Sequence, residues 1–172
     1  MSQQTEKLGQ AMAVIAALGI LVVLTLLFND EIAERRNPNR SVESLMVAEG
    51  TATIALRSNV MGHYVANGFI NGHPVEFLID TGATAVALSP ATARHAGLVP
   101  GRMRPVVTAN GTAESYDTRI DALDLGGIRM RNIDASITPG MFDEQVLLGM
   151  SFLADLEFAQ KDGVLRITGP AR

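Results

Sequence analysis

The sequence predicts an all-β domain carried behind one apolar N-terminal segment, and three observations lead there. Fourteen of the sixteen glycines fall after Glu49. No stretch beyond that point keeps a helical apolar period over several turns, and short β-prone runs alternate there with turn signals, as in a sandwich or barrel. The length, 172 residues, accommodates one compact domain of about 100–150 residues plus an appendage. Mean hydropathy is +0.19, and the apolar excess is concentrated at the N-terminus.

After a short tail over residues 1–10, Ala11 to Phe28 reads AMAVIAALGILVVLTLLF, without a single charge. A helix of about 18 residues rising 1.5 Å per residue reaches about 27 Å, close to the hydrocarbon thickness of a bilayer. A cleaved signal peptide has a shorter apolar region and a small-x-small cleavage site. Leu26-Leu27-Phe28-Asn29-Asp30 offers no such site, so residues 11–28 are expected to be an uncleaved membrane anchor. Nothing in the following stretch reads as able to cover a buried soluble helix. Lys7 and the terminal amine weigh against Arg35, Arg36 and Arg40; taken alone, that count keeps the C-terminal domain in the cytoplasm, but Asp30, Glu31 and Glu34 are interleaved and the rule does not decide. Residues 29–49 are polar, with Pro38 and several Asn and Ser, and read as a tether, helical around Asp30–Arg36 and irregular after Asn37.

Residues 50–172 form the expected domain. Strands are predicted at Thr51–Leu56, His63–Ile70, Pro74–Asp80, Pro105–Thr108, Thr112–Ile120, Ile128–Ile137, Gln145–Leu148, Leu156–Gln160 and Val164–Thr168. Asn71-Gly72 is a type I′ hairpin signal, Asn110-Gly111 a second, and Lys161-Asp162-Gly163 another turn. Ser89-Pro90 reads as the N-cap and first residue of a short helix running toward His95 and closed by Gly97, and Met150–Asp155 as a second short helix. There is no repeat and no low-complexity segment.

Composition excludes several chemistries. With 14 Lys and Arg against 18 Asp and Glu, no basic surplus exists to neutralise phosphates, so nucleic acid is not an expected partner. The absence of cysteine excludes disulfides, Cys-ligated zinc, iron–sulfur clusters and a thiol nucleophile. His63, His73 and His95 have no metal-ligand spacing. Asp121, Asp124 and Asp134 lack the dense alternation of a calcium loop, and Ser44, Ser89 and Ser151 lack a Gly-x-Ser-x-Gly elbow. Neither a metal nor a cofactor is expected.

The informative segment is Phe77-Leu-Ile-Asp-Thr-Gly-Ala-Thr84: three apolar residues lead into a carboxylate, and a turn of small residues follows at once. Alone, Asp80 and Thr81 read equally well as turn caps. Further along lie the Asn110-Gly111 hairpin and Val146-Leu147-Leu148-Gly149, followed by Met150-Ser-Phe-Leu153. In this order and spacing the chain resembles, over roughly residues 50–170, the retropepsin-like aspartic proteases typified by retroviral enzymes. It is most similar to bacterial members in which one such domain follows an N-terminal membrane helix.

The resemblance implies a closed β-barrel or sandwich with a flap hairpin and one or two short helices. It implies a peptide-bond hydrolase with Asp80 as the catalytic carboxylate, supported in its loop by Thr81 and Gly82. Ala83, Asn110 and Gly111 would bind substrate, the last two at the flap near Ala109–Thr112, and Leu148 and Gly149 would pack behind the loop. Aspartic proteolysis uses two carboxylates sharing one proton. With one Asp-Thr-Gly per chain the implied enzyme is a homodimer, with Val164–Thr168 placed to interleave at the interface. Its substrates would be extended peptides or proteins, its location a single-pass inner-membrane protein with the protease domain on the periplasmic side. Two positions depart from the retroviral pattern: Thr108–Thr112 carries one glycine, and Thr84 stands where those enzymes often have Asp. The alternatives are a catalytically silent peptide-binding or assembly module of the same fold, and a self-processing precursor cut around Asn37–Val47.

Overall fold

The computed structural model describes residues 2–48, 50–108, 111–141 and 145–171. It divides into two compact units, Met1–Arg36 and Asn37–Arg172. The first is one helix, α1 (Ser2–Arg36). Its apolar stretch is exposed throughout, and Lys7–Arg36 is long and apolar enough to cross a membrane by length and composition, a test that a signal sequence also passes. Glu31 and Arg35 pair at 3.0 Å one turn apart, and Arg35 and Arg36 lie in the last turn, where cations oppose the negative end of the helix dipole.

The second unit runs through β1 (Ser44–Ala48), β2 (Thr51–Arg57), β3 (Tyr64–Ile70), β4 (His73–Ile79), β5 (Val86–Leu88), α2 (Pro90–His95) and β6 (Met103–Thr108). It continues with β7 (Gly111–Leu125), β8 (Ile128–Ile137), β9 (Gln145–Leu148), α3 (Met150–Leu153), β10 (Glu157–Lys161) and β11 (Val164–Pro170). Six strands close a barrel in the order β3-β4-β9-β5-β8-β7, with β7 returning to β3 through Phe69↔Asp124 and Ile70↔Leu123. Closure needs a close approach at Gly68, where a Cβ would lie 2.5 Å from the Asp124 carbonyl oxygen and 2.6 Å from the Phe77 ring. Strand β6 hangs on the outside of β7. The barrel is filled by inward residues that include Ile70, Phe77, Val86, Leu88, Ile120, Leu123, Ile133, Val146 and Leu148.

The remaining strands form a separate antiparallel sheet, β1-β2-β11-β10. Alternate residues of β2 (Ala52, Ile54, Leu56) and of β11 (Leu165, Ile167) are buried in the same core as the barrel, the period-two pattern of a strand with one covered face. Local chemistry sets the connections. Asn71 and Gly72 have φ of 51° and 82°, and Asp162 and Gly163 have 52° and 74°, the left-handed pairs that a type I′ turn demands. The Ser89 side chain accepts from Thr92 N at 3.1 Å, with Pro90 opening α2 behind it. Eight of the nine expected strands begin and end within two residues of their predicted limits, while β7 continues past Ile120 to Leu125. Two strands had no sequence expectation, β1 and β5. Val164–Thr168, expected to interleave with a second copy, is instead paired on both sides by its own chain, to β2 and to β10.

The structure divides the N-terminal half of the chain differently from a tether over 29–49 followed by a domain from 50. Residues 29–36 belong to α1, and the folded unit starts at Asn37. Asn37 and Asn39 are 3% and 6% exposed, and their amides are fully used. Asn37 Nδ2 donates to Asn67 Oδ1 at 2.9 Å and to Glu76 Oε2 at 3.0 Å. Asn39 Nδ2 donates to the carbonyls of Arg57 at 2.9 Å and Val65 at 2.7 Å, while its Oδ1 accepts from Arg57 N at 2.7 Å. Asn39 thereby joins the end of β2 in the four-stranded sheet to β3 of the barrel. Buried polar groups persist only where bonded in this way, and stripping one side of such a set leaves the other side orphaned. Asn39→Ala is expected to destabilise the folded unit by about 3 kcal/mol, measured by urea unfolding of the full chain in detergent micelles.

Candidate active site

Strand β4 delivers Asp80. Phe77 and Ile79 point into the core, and Asp80, half-buried, is the first residue past the strand. Its N–H donates to the Leu148 carbonyl at 3.1 Å, continuing the parallel ladder that pairs Ile79 with Leu148. Its Oδ1 accepts from Gly82 N at 2.9 Å, and its carbonyl accepts from Ala83 N at 3.2 Å. This is an Asx turn closing on itself. Among the described residues no other donor reaches the carboxylate. Thr81, Gly82 and Thr84 are exposed and Ala83 is half-buried.

The far side of the loop is held by the start of α3. Met150 N donates to the Ala83 carbonyl at 2.8 Å and Ser151 N to the Thr84 carbonyl at 3.0 Å. Val86 N donates to Ser151 Oγ at 2.9 Å. Gly149 lies beneath: a Cβ there would strike the Ala85 carbonyl oxygen and stand 2.7 Å from that of Ala83. Strand β9 runs between β4 and β5, parallel to the first and pairing antiparallel with the second at Ala87↔Leu147. Leu148 and Gly149 thus pack behind the loop, as expected. Ser151 carries no nucleophile motif, and its backbone-holding role leaves no signal in the sequence beyond its place two residues after Gly149.

The other expected residues lie elsewhere. Gly111 opens β7 and is exposed, with φ of 105°, in the hairpin that pairs β6 with β7 from Met103↔Tyr116 to Thr108↔Gly111. Asn110 and Ala109 fall outside the described residues. Val107, near the end of β6, is 91% exposed, so this hairpin projects an apolar side chain into solvent. His63, His73 and His95 are exposed, and no three His, Asp or Glu side chains among the described residues are grouped to hold a metal. Asp134 pairs with Arg119 at 2.7 Å, and Asp124 accepts from Gly127 N at 3.1 Å in its turn. A groove of about 800 Å³ is lined by Phe69, His73, Thr92, His95 and Asp124 among others and by no residue of the Asp80 loop.

The sequence model of the family described as "gag-polyprotein putative aspartyl protease" matches residues 66–155, a span that contains the Asp80 loop, the hairpin and the Gly149 turn. The chain belongs to the retropepsin-like aspartic proteases. A crystal structure of a retropepsin-like aspartic protease from Rickettsia conorii shares its fold with a TM-score of 0.59 at 23% identity, covering 76% of this chain and 96% of that one. An uncharacterized protein in the cobV 5' region of Sinorhizobium sp. is 34% identical over 116 residues, 66% of this chain and 50% of that protein. The uncharacterized protein RP867 of Rickettsia prowazekii (strain Madrid E) is 30% identical over 95 residues, 54% of this chain and 40% of that protein. The chain thus spans half the length or less of the curated relatives it matches.

Within this retropepsin-like domain the loop's rigidity rests on Gly149 and Ser151. Gly149→Ala forces a methyl against two carbonyl oxygens and is expected to lose about 1–3 kcal/mol. Ser151→Ala leaves the N–H of buried Val86 without its acceptor and is expected to lose about 1–3 kcal/mol, with Ser151→Thr retaining most of it. Far-UV circular dichroism during urea unfolding of the full chain measures both.

Proposed function

We propose that this protein is a membrane-anchored aspartic endopeptidase, active as a homodimer, in which two copies of Asp80 activate the water that cleaves an extended peptide. The observation that carries the reading is the Asp80 loop itself: one half-exposed carboxylate, braced from behind by Leu148, Gly149 and Ser151, flanked by small residues, in a chain of retropepsin-like family. One carboxylate cannot serve as base and acid at once. A second copy brought up by two-fold symmetry supplies the other. Two such groups a few ångströms apart share one proton, because both cannot readily ionise together.

In the proposed cycle the ionised Asp80 takes a proton from water as its oxygen bonds to the scissile carbonyl carbon, while the protonated Asp80 gives its proton to the carbonyl oxygen. The resulting gem-diol collapses as the amine nitrogen is protonated and the C–N bond breaks, releasing acid and amine products. No metal takes part and no covalent bond to the protein forms. Thr81 and Gly82 keep the carboxylates coplanar. Ala83 and the hairpin of β6 and β7, including Asn110 and Gly111, hold the substrate backbone. Helix α1 supplies the anchor, and confinement to a membrane raises the local concentration that dimerisation needs. The domain is proposed to face the periplasm from the inner membrane. The self-processing alternative loses support from the burial of Asn37 and Asn39 and from the pairing of Ser44–Ala48 in β1, since a protease cuts extended, accessible chain.

The test is cleavage of an unstructured protein such as casein by the full chain in detergent micelles. Asp80→Asn is expected to lower activity by at least about a thousandfold, the scale on which loss of a catalytic carboxylate acts. Activity is expected to rise more than linearly with enzyme. An equal mixture of wild-type and Asp80→Asn chains should retain about a quarter of the activity if both carboxylates of a dimer are needed, and about half if each chain works alone. Activity retained in Asp80→Asn would overturn the mechanism, and a folded, dimeric but inactive protein would favour the peptide-binding module.

A further inference from the structure

The loop between β2 and β3, residues 58–63, turns two apolar side chains to solvent. Val60 is 76% exposed and Met61 73%, and among the described residues outside α1 they are the one adjacent pair of exposed large apolar side chains. Single exposed apolar residues are ordinary on a protein surface; an adjacent pair at a loop tip marks a contact site. The loop that carries them is internally bonded. Asn59 Oδ1 accepts from Met61 N and from His63 N, both at 2.9 Å. Asn59 N donates to the His63 carbonyl at 2.7 Å, and Gly62 N to the Asn59 carbonyl at 2.9 Å. Gly62, with φ of 80°, makes the reversal. At the root Ser58 bridges Tyr64, and its N–H donates to the Gly163 carbonyl at 2.9 Å. The amides of residues 58, 59, 61, 62 and 63 are therefore satisfied within the protein. An unbonded amide is costly to move out of water, and an amide already bonded escapes that cost. The tip thus combines apolar side chains with a backbone that lipid can accept.

We propose that Val60 and Met61 enter the boundary between headgroups and acyl chains of the bilayer that α1 crosses, a second membrane contact that sets the tilt of the folded unit. Chain connectivity places lipid within reach. Asn39 bonds the N–H and carbonyl of Arg57 on one side of the loop and the carbonyl of Val65 on the other. Both ends of the loop are therefore gripped by a residue three positions beyond Arg36, the last of α1. Those three residues span at most about 11 Å, and the four from Arg57 to Met61 about 14 Å. Phe28, the end of the apolar stretch, lies eight residues before Arg36, about 12 Å along a helix. The headgroup layer on one side of a bilayer is about 5–7 Å thick, so the tip can span the gap between the end of α1 and the acyl boundary. Tyr64 pairs with Ile79, so this loop and Asp80 leave the same end of adjacent strands. The contact consequently holds Asp80 near the lipid surface. The inference rests on α1 being a membrane anchor, as proposed above, and not on proteolytic activity.

The chain contains no cysteine, so Ile15→Cys, Met61→Cys and Val99→Cys each introduce one thiol for an environment-sensitive fluorophore. Position 15 lies in the apolar stretch of α1. Val99 is 78% exposed and serves as the control. It lies three residues after Ala96, whose carbonyl accepts from Asn71 Nδ2 at 3.1 Å, at the end of β3 opposite to Tyr64. The seven residues of β3 separate these ends by about 20 Å. The full chain is reconstituted into vesicles of neutral phosphatidylcholine, with or without a spin label on the acyl chains that quenches nearby fluorophores. Positions 15 and 61 are expected to be quenched, and position 99 at least about threefold less than 61. In the Met61→Cys background Val60→Asp is expected to reduce quenching at least about threefold, with an unchanged circular dichroism spectrum. Equal quenching at 61 and 99 would overturn the proposal. So would quenching at 61 that Val60→Asp leaves unchanged, since the tether alone then keeps the loop near lipid. Blue-shifted emission at 61 without lipid quenching means that protein covers the tip, which also overturns it. Quenching at 15 but not at 61 removes the loop contact and leaves the anchor; quenching at neither removes the anchor, and the loop contact with it.

Discussion

The Asp80 loop takes its shape from the strand that passes beneath it. β4 and β5 are consecutive in the chain, yet β9 lies between them. The loop therefore bridges two strand spacings, about 9.5 Å, and cannot close by pairing across a hairpin. Its backbone groups turn downward instead, to Leu148, Met150 and Ser151. A wide loop of small residues would ordinarily be soft. Here four positions, Asp80, Ala83, Thr84 and Val86, are anchored to one rigid neighbour, which is how an acid can stand half-exposed in a defined place. Because β9 is threaded through the span, residues about seventy positions apart fold as one piece, and neither end of the site exists without the other.

The same long-range character explains what the sequence disclosed and what it concealed. Strand β2, the barrel strands β3, β4, β8 and β9 and the caps of α2 were legible because their signals are local: period-two burial, Asn71-Gly72, Ser89-Pro90. Asp80 was legible for the same reason, since a carboxylate placed at the end of an apolar strand and before a small-residue turn is a short motif. Strand β5 escaped notice because Val86–Leu88 is only three residues long and owes its form to pairing with Leu147 and with β8. Strand β1 lay inside a polar stretch whose composition reads as linker. Ser151 was invisible as a brace because its work is a single bond to a backbone N–H.

Asn37 and Asn39 mark the sharpest contrast between composition and burial. Asparagine beside proline is the usual signature of irregular, solvated chain, and the two residues are instead among the few buried polar side chains of the unit. The Asn37 amide ties β3 to β4, and the Asn39 amide substitutes for backbone between the end of β2 and β3. No hydrophobic residue could take that position, since the carbonyls of Arg57 and Val65 would be left dry and unbonded.

This arrangement has a mechanical consequence. Tension drawn along the chain from α1 enters the folded unit at Asn37, whose amide holds Asn67 of β3 and Glu76 of β4, and then at Asn39, whose amide joins β2 to β3. The first elements of the folded unit to meet such tension are then β3 and β4, the second of which ends at the carboxylate.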